Sequence, residues 1–165
     1  MYRLLIITLS LVLLSCARQA PVPESKTTLP ATPTLGVTQL LDGTETWKEY
    51  NCESKKLPFI IIEQNEILPT NVQAGKEIQH RFVYAACTSS DRQALKGSLN
   101  RKIYYKGRAV FQDATRNFEI KPGKWKVNAV VAIPVQAKPG NYNFELTISS
   151  PTTTVKKNLS FLVQK

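Results

Sequence analysis

The stretch "WKVNAVVAIPVQAKPGNYNFELTIS", residues 125–149, decides the fold. Its opening run places Trp125, Val127, Ala129, Val131 and Ile133 on one face, with Lys126 and Asn128 on the other. Its closing run sets Tyr142, Phe144, Leu146 and Ile148 against Asn143, Glu145, Thr147 and Ser149. A period of two marks a strand with one buried face, because successive side chains of extended backbone point to opposite sides. Between the runs stand Pro134 and Pro139-Gly140, which interrupt a ladder and favour turns.

The same texture extends in both directions. Toward the C-terminus, "VKKNLSFLVQ" from 155 gathers Val155, Leu159, Phe161 and Val163 on one face, with Lys157 as the exception. Toward the N-terminus come "LPFIIIEQ" from 57, "EIQHRFVYAAC" from 77, "LNRKIYY" from 99, "RAVF" from 108 and "RNFEIK" from 116. No stretch after Cys52 carries a sustained helical stripe, and Pro69, Gly75, Gly107, Pro122-Gly123 and Pro151 punctuate the runs. Short strands at this spacing predict an all-β, antiparallel sandwich of about seven or eight strands over residues 47–165. Hydrophobic residues make up 42% of the 165-residue chain and charged residues 21%, enough for one soluble core.

The motif Ala137-x-Pro139-Gly140-x-Tyr142 resembles the entry to the penultimate strand of bacterial immunoglobulin-like and fibronectin-like domains. The resemblance covers roughly the last forty residues. It implies an immunoglobulin-like sandwich in which Tyr142 plugs one end and forms a tyrosine corner. On function it is nearly silent, because such sandwiches serve many roles.

The N-terminus has a different character. Arg3 precedes a mostly apolar run from Leu4 to Leu14, then Ser15 and Cys16. Eleven residues are too few to span a bilayer, which takes roughly 20, but they match the hydrophobic segment of a signal peptide. "LLSC" at 13–16 resembles the lipobox of bacterial lipoproteins, whose cysteine is diacylated and becomes the mature N-terminus. The resemblance implies a signal peptide over 1–15, lipidation (palmitate among the acyl chains) at Cys16, and membrane attachment through that lipid. Ala17 after the cysteine implies the outer membrane, with the domain facing the periplasm. From Gln19 to Thr38 four prolines and five threonines form a segment that cannot bury a core. Residues 16–46 therefore read as a lipidated start and flexible linker, with a reach of up to about 60 Å if twenty residues are fully extended.

With Cys16 lipidated, Cys52 and Cys87 remain as an even pair in an oxidising compartment. A hairpin turning through Leu68-Pro69-Thr70-Asn71 would place 59 opposite 80, 61 opposite 78 and 52 opposite 87, and so predicts a disulfide. A metal or redox pair is the rival, but the sequence has no C-x-x-C and a single histidine.

That histidine, His80, is in phase with Ile78, Phe82 and Tyr84, which reads as a hydrogen-bonded residue at the edge of the core. Nucleophile–base pairs and zinc sites need more members than the chain supplies. Glu63, Glu66 and Glu77 could gather at the first hairpin, but solvation alone explains acidic hairpin ends. No glycine-rich phosphate loop occurs. The expectation is a protein with no catalytic residues, no metal and no cofactor.

Charge is more informative. Lys plus Arg number 22 against 12 acidic residues, a net +10. Arg92 to Lys126 contains ten basic residues opposed by Asp113 and Glu119, so +8 falls in that stretch. "NRKIYYKGR" interleaves Tyr104 and Tyr105 with Arg101, Lys102, Lys106 and Arg108. The predicted binding face is Arg101, Lys102, Tyr104, Lys106, Arg108 and Arg116 on one sheet, together with its edge. An exported protein does not meet nucleic acid, so the partners expected are an envelope protein or an anionic envelope polymer. The leading expectation is a lipid-anchored, non-enzymatic scaffold or binding module serving an envelope or secretion-type assembly. Binding to lipopolysaccharide or cell wall stands second. A periplasmic enzyme inhibitor stands last: "YNCESKKL" at 50–57 resembles the start of membrane-bound lysozyme inhibitors, but no later inhibitory-loop motif follows.

Overall fold

The computed structural model describes residues 36–165, and within them the chain forms two packed sheets. The signal peptide, Cys16 and the first part of the linker lie outside the described residues. In chain order come β1 (Gly36–Leu41), α1 (Gly43–Glu49), a 3-10 turn (Cys52–Ser54), β2 (Phe59–Leu68), β3 (Asn71–Gln73), β4 (Glu77–Cys87) and β5 (Leu95–Tyr105). Then follow β6 (Arg108–Ile120), β7 (Gly123–Ala132), β8 (Gly140–Ser149) and β9 (Thr154–Gln164). One sheet runs β1-β7-β4-β2 and the other β3-β9-β8-β5-β6. All pairs are antiparallel except β3 with β9.

The all-β sandwich is as the alternation predicts, with nine strands among the described residues rather than about seven or eight. Inward positions of both sheets fuse into one core, with Phe82 and Tyr84 of β4 and Val127 and Val131 of β7 facing Ile103, Phe144, Leu146 and Phe161. Each is nearly or fully removed from water, which is the main stabilising term of such a fold.

Three expectations need correction. The sandwich already includes residues ahead of the expected start at 47: β1 pairs with β7 from Gly36 opposite Asn128 to Leu41 opposite Lys124. Helix α1 follows at once, fixed by a capping box in which Asp42 accepts from the Glu45 N–H at 2.7 Å and Glu45 accepts from the Asp42 N–H at 3.1 Å. Secondly, β2 and β4 do pair, but Phe59 stands opposite Cys87 and Ile67 opposite His80. The predicted four-residue turn assumed a direct return. Instead the chain after Pro69 crosses to the other sheet, where Asn71–Gln73 lie beside Leu162–Gln164, and only then enters β4. Thirdly, the runs from 108 and 116 are one strand, β6.

Cys52 and Cys87 are bonded, with Cα atoms 5.8 Å apart, but Cys52 is not in a strand. It sits in the 3-10 turn that folds over the end of β4. The bridge thus ties the α1 segment to the four-stranded sheet.

Candidate functional site

The β5–β6 hairpin turns on two residues, Lys106 (φ 49°) and Gly107 (φ 78°). Positive φ at both central positions is the type I′ geometry that matches strand twist, and it favours Asn-Gly. Glycine meets the second position without cost. Lysine at the first is locally unfavourable, and the result is a cation held at the tip.

Behind the tip, Tyr105 stacks on Tyr142 with centroids 4.7 Å apart, and Tyr142 on Phe161 at 5.5 Å. The Tyr142 hydroxyl donates to the Lys138 carbonyl at 2.8 Å, which is the corner bond expected of this tyrosine. The Tyr105 hydroxyl donates to the Pro139 carbonyl at 3.2 Å. Gly140 makes this stack possible: its φ is 141°, and a Cβ there would lie 3.1 Å from the Tyr105 ring. Both phenols are therefore spent on the β7–β8 connection; Tyr142 is buried within the stack, and Tyr105 is the half-buried ring at its outer end.

That space is a cleft of about 680 Å³ between the hairpin and residues 132–138. Ile103, Tyr105, Val110 and Phe111 line one side, Ala132 to Pro134 the other. Lys106, Arg108 and Lys138 stand around it, all exposed, and among the described residues no carboxylate lines it. The Lys106 ammonium lies 5.4 Å from the Tyr105 ring centre, a cation–π distance. Apolar walls under a cationic rim suit an anionic group carrying an apolar side chain.

The predicted basic face is only partly assembled. Lys106 and Arg108 reach the cleft. Lys102 and Tyr104 point outward from the sheet, where Lys102 stands opposite Glu145, itself 3.6 Å from Lys156. Arg116 lies farther along the exposed β6 strand. Arg101 does not belong to any surface and is the plain correction. It is 1% exposed and crosses the core, because it shares the inward phase of Leu99 and Ile103. Nor is the +8 gathered on one sheet, since Lys124 and Lys126 belong to β7 in the opposite one. Lys138, Tyr105 and Phe111 line the cleft but lie outside the predicted face; the A-x-P-G-x-Y motif contains Lys138 but marks only a strand entry.

Arg101 organises a buried polar chain instead. Its Nη1 donates to Asp113 at 3.0 Å, and its Nε donates to His80 Nδ1 at 3.2 Å. His80 Nε2 therefore carries the proton and donates to Asn65 Oδ1 at 2.8 Å. His80 is fully buried between Phe82 and Phe144, deeper than the core edge where the sequence placed it. Burial, with Arg101 alongside, holds the imidazole neutral and lowers its pKa to about 3. Burial also lowers the pKa of Arg101, and Asp113 opposes that shift.

The acidic residues are dispersed. Glu63 occupies a β-bulge between Ile62 and Gln64, which aims it at Lys124 (3.0 Å) and the Tyr50 hydroxyl. Glu66 pairs with Arg81 at 3.2 Å. Burial and the Glu63 hydrogen bond raise Tyr50 to about 12, and Glu63 raises Lys124. Among the described residues no group of three or more His, Cys, Asp and Glu is placed to hold a metal.

Fold and site together define a disulfide-stapled β-sandwich with a cation-rimmed cleft at one end. No family model matches the sequence, and no curated protein matches it. Among solved structures it is similar to a β-glucuronidase from Parabacteroides merdae: 16% identity over 64% of this chain and 14% of that one, TM-score 0.45. A sporulation control protein from Bacillus subtilis gives 10% identity over 64% of this chain and 49% of that one, TM-score 0.46. A CARDB domain from Pyrococcus furiosus, in complex with di-metal ions, gives 14% identity over 67% and 96%, TM-score 0.45. This chain thus spans a small part of the glucuronidase and about half of the sporulation protein. At these values the likenesses carry no argument about activity.

Proposed function

We propose that the chain is a lipid-anchored cell-envelope module without catalytic activity, which binds an acidic protein partner at the cleft and so supports an envelope assembly. In this reading Cys16 tethers it to the outer membrane, the proline- and threonine-rich segment sets its reach, and the sandwich presents a rigid site to the periplasm. The immunoglobulin-like assignment belongs to the same reading. Strands β2, β4 and β7 stand where A, B and E would, β5, β8 and β9 where C, F and G would, and β1 takes the place of D.

The observation that carries the reading is the convergence of Lys106, Arg108 and Lys138 on a cleft that no carboxylate lines among the described residues. Lys106 and Arg108 come from the β5–β6 hairpin and Lys138 from the β7–β8 connection, so sequence adjacency does not explain it. The lysine at a left-handed turn position adds weight, because a local preference is overridden at the rim itself.

The test is crosslinking and co-purification of the full-length chain from its native envelope, comparing wild type with the triple variant Lys106→Glu, Arg108→Glu, Lys138→Glu. The partner should be lost while the thermal midpoint stays nearly unchanged, since all three side chains are exposed. Undiminished co-purification rejects the cleft as the contact site. Absence of any protein crosslink, with steeply salt-dependent retention on purified lipopolysaccharide or cell wall, transfers the cations to a polymer ligand instead.

A further inference from the structure

The geometry points to strand addition at β6: an extended acidic segment of the partner pairs with the open edge of this strand and sets an apolar side chain into the cleft. This rests on the cleft being the contact site, and deepens it by naming the form of the partner. Among the described residues β6 is the last strand of its sheet and, at 13 residues, the longest strand, and it contains no proline. Among the described residues no strand pairs with it on the side away from β5. Proteins usually blunt such edges, because a row of unpaired N–H and C=O groups is a template for another chain.

Here the blunting is partial. Two bulges interrupt the β5–β6 register, one between Ile103 and Tyr104 and one between Gly97 and Leu99. The regular ladder between them is Phe111 to Thr115. The first bulge leaves Val110 as the extra residue on β6, 55% exposed and lining the cleft. Its position re-aims an apolar side chain to where an incoming strand would begin.

Charge selects the occupant. Arg108 and Arg116 bracket the free ladder, and the one carboxylate inside it, Asp113, is committed to buried Arg101. The edge therefore presents cations at both ends with its acid neutralised. A second copy of this chain, at net +10, meets like charge there, whereas an acidic strand meets complement. Alternation of acidic and apolar residues in that strand would place acids toward the rim and one aromatic or aliphatic side chain in the cleft.

The probe is a blocked heptapeptide alternating aspartate with valine, phenylalanine at its centre, titrated into the full-length protein in detergent. Fluorescence anisotropy reads binding, and hydrogen exchange with mass spectrometry reads residues 108–120. The expected result is binding that slows exchange there by about tenfold or more, because free edge amides become ladder amides. Alternate N-methylation of one peptide edge should abolish binding, and of the other should not. Binding without protection of β6 overturns strand addition and leaves the cleft reading standing. Protection of β6 that survives the triple charge reversal keeps strand addition and removes the cleft. No binding at millimolar peptide overturns both. Protection that depends on protein concentration without peptide, with a doubled mass by light scattering, overturns the acidic partner in favour of a second copy.

Discussion

Removing Asp113 should destabilise the sandwich more than removing both Asp113 and Arg101. The Arg101 side chain is 2% exposed and that of Asp113 is 21% exposed, at 3.0 Å from each other. Truncating Asp113 to alanine leaves a guanidinium in the core without its countercharge, a change that costs about 3–5 kcal/mol. At about 4 °C per kcal/mol for a domain of this size, the melting midpoint should fall by roughly 12–20 °C. Adding Arg101→Met removes the stranded charge and fills most of its volume. What remains is the unpaired Nδ1 of His80, a buried acceptor whose cost is about 1–3 kcal/mol. The double variant should therefore recover about 2 kcal/mol over Asp113→Ala alone, or roughly 8 °C. Urea denaturation followed by circular dichroism, checked by calorimetry, measures all three proteins. A double variant less stable than the single one refutes the reasoning, because Arg101 would then contribute by packing rather than as a charge needing its partner.

Two more expectations follow from buried groups. The pKa of His80 is about 3 in the folded chain against 6.5 unfolded, so the unfolded state binds the extra proton between those values. Its contribution is fully present above pH 6.5 and is lost as pH falls toward 3, at up to about 1.4 kcal/mol per unit; denaturation midpoints across pH 7 to 4 should show that slope, and His80→Gln should flatten it. The Cys52–Cys87 bridge closes a separation of 35 residues, so the paired serine variant should lose about 4 kcal/mol in the chain-entropy model; a loss below 1 kcal/mol in the same denaturation assay counts against that role.

What was legible in the sequence was whatever had one wet and one dry face. β7, β8 and β9 announce themselves by alternation, and their inward residues are those found in the core. β1 gave no such signal, because Gly36 to Leu40 are all exposed on a sheet edge and follow a proline-rich run. The seven residues of α1 are too few for a helical period to show. The β2–β4 register was misjudged because pairing rules cannot reveal that three residues leave for the opposite sheet. The disulfide nevertheless forms, since the 3-10 turn and not the ladder brings Cys52 to Cys87. Arg101 was misread through its type rather than its phase: Leu99, Arg101 and Ile103 alternate as one face, as do Phe111 and Asp113 opposite them. A charged pair in phase on two strands was the available signal. Lys138 joins Lys106 only through tertiary closure of the cleft, which no local pattern encodes.

Strand β1 has a mechanical consequence. It is antiparallel to β7 and runs from Asn128 back toward Lys124, so its first residue points, read backwards, toward the end of the sandwich where Ala132 lines the cleft. Tension applied to the chain ahead of Gly36 along that line would load the β1–β7 bonds in shear, with all of them sharing the force. Tension across the strand would instead peel them one at a time. The direction from which the chain is pulled thus decides whether β1 is a clasp or a zip.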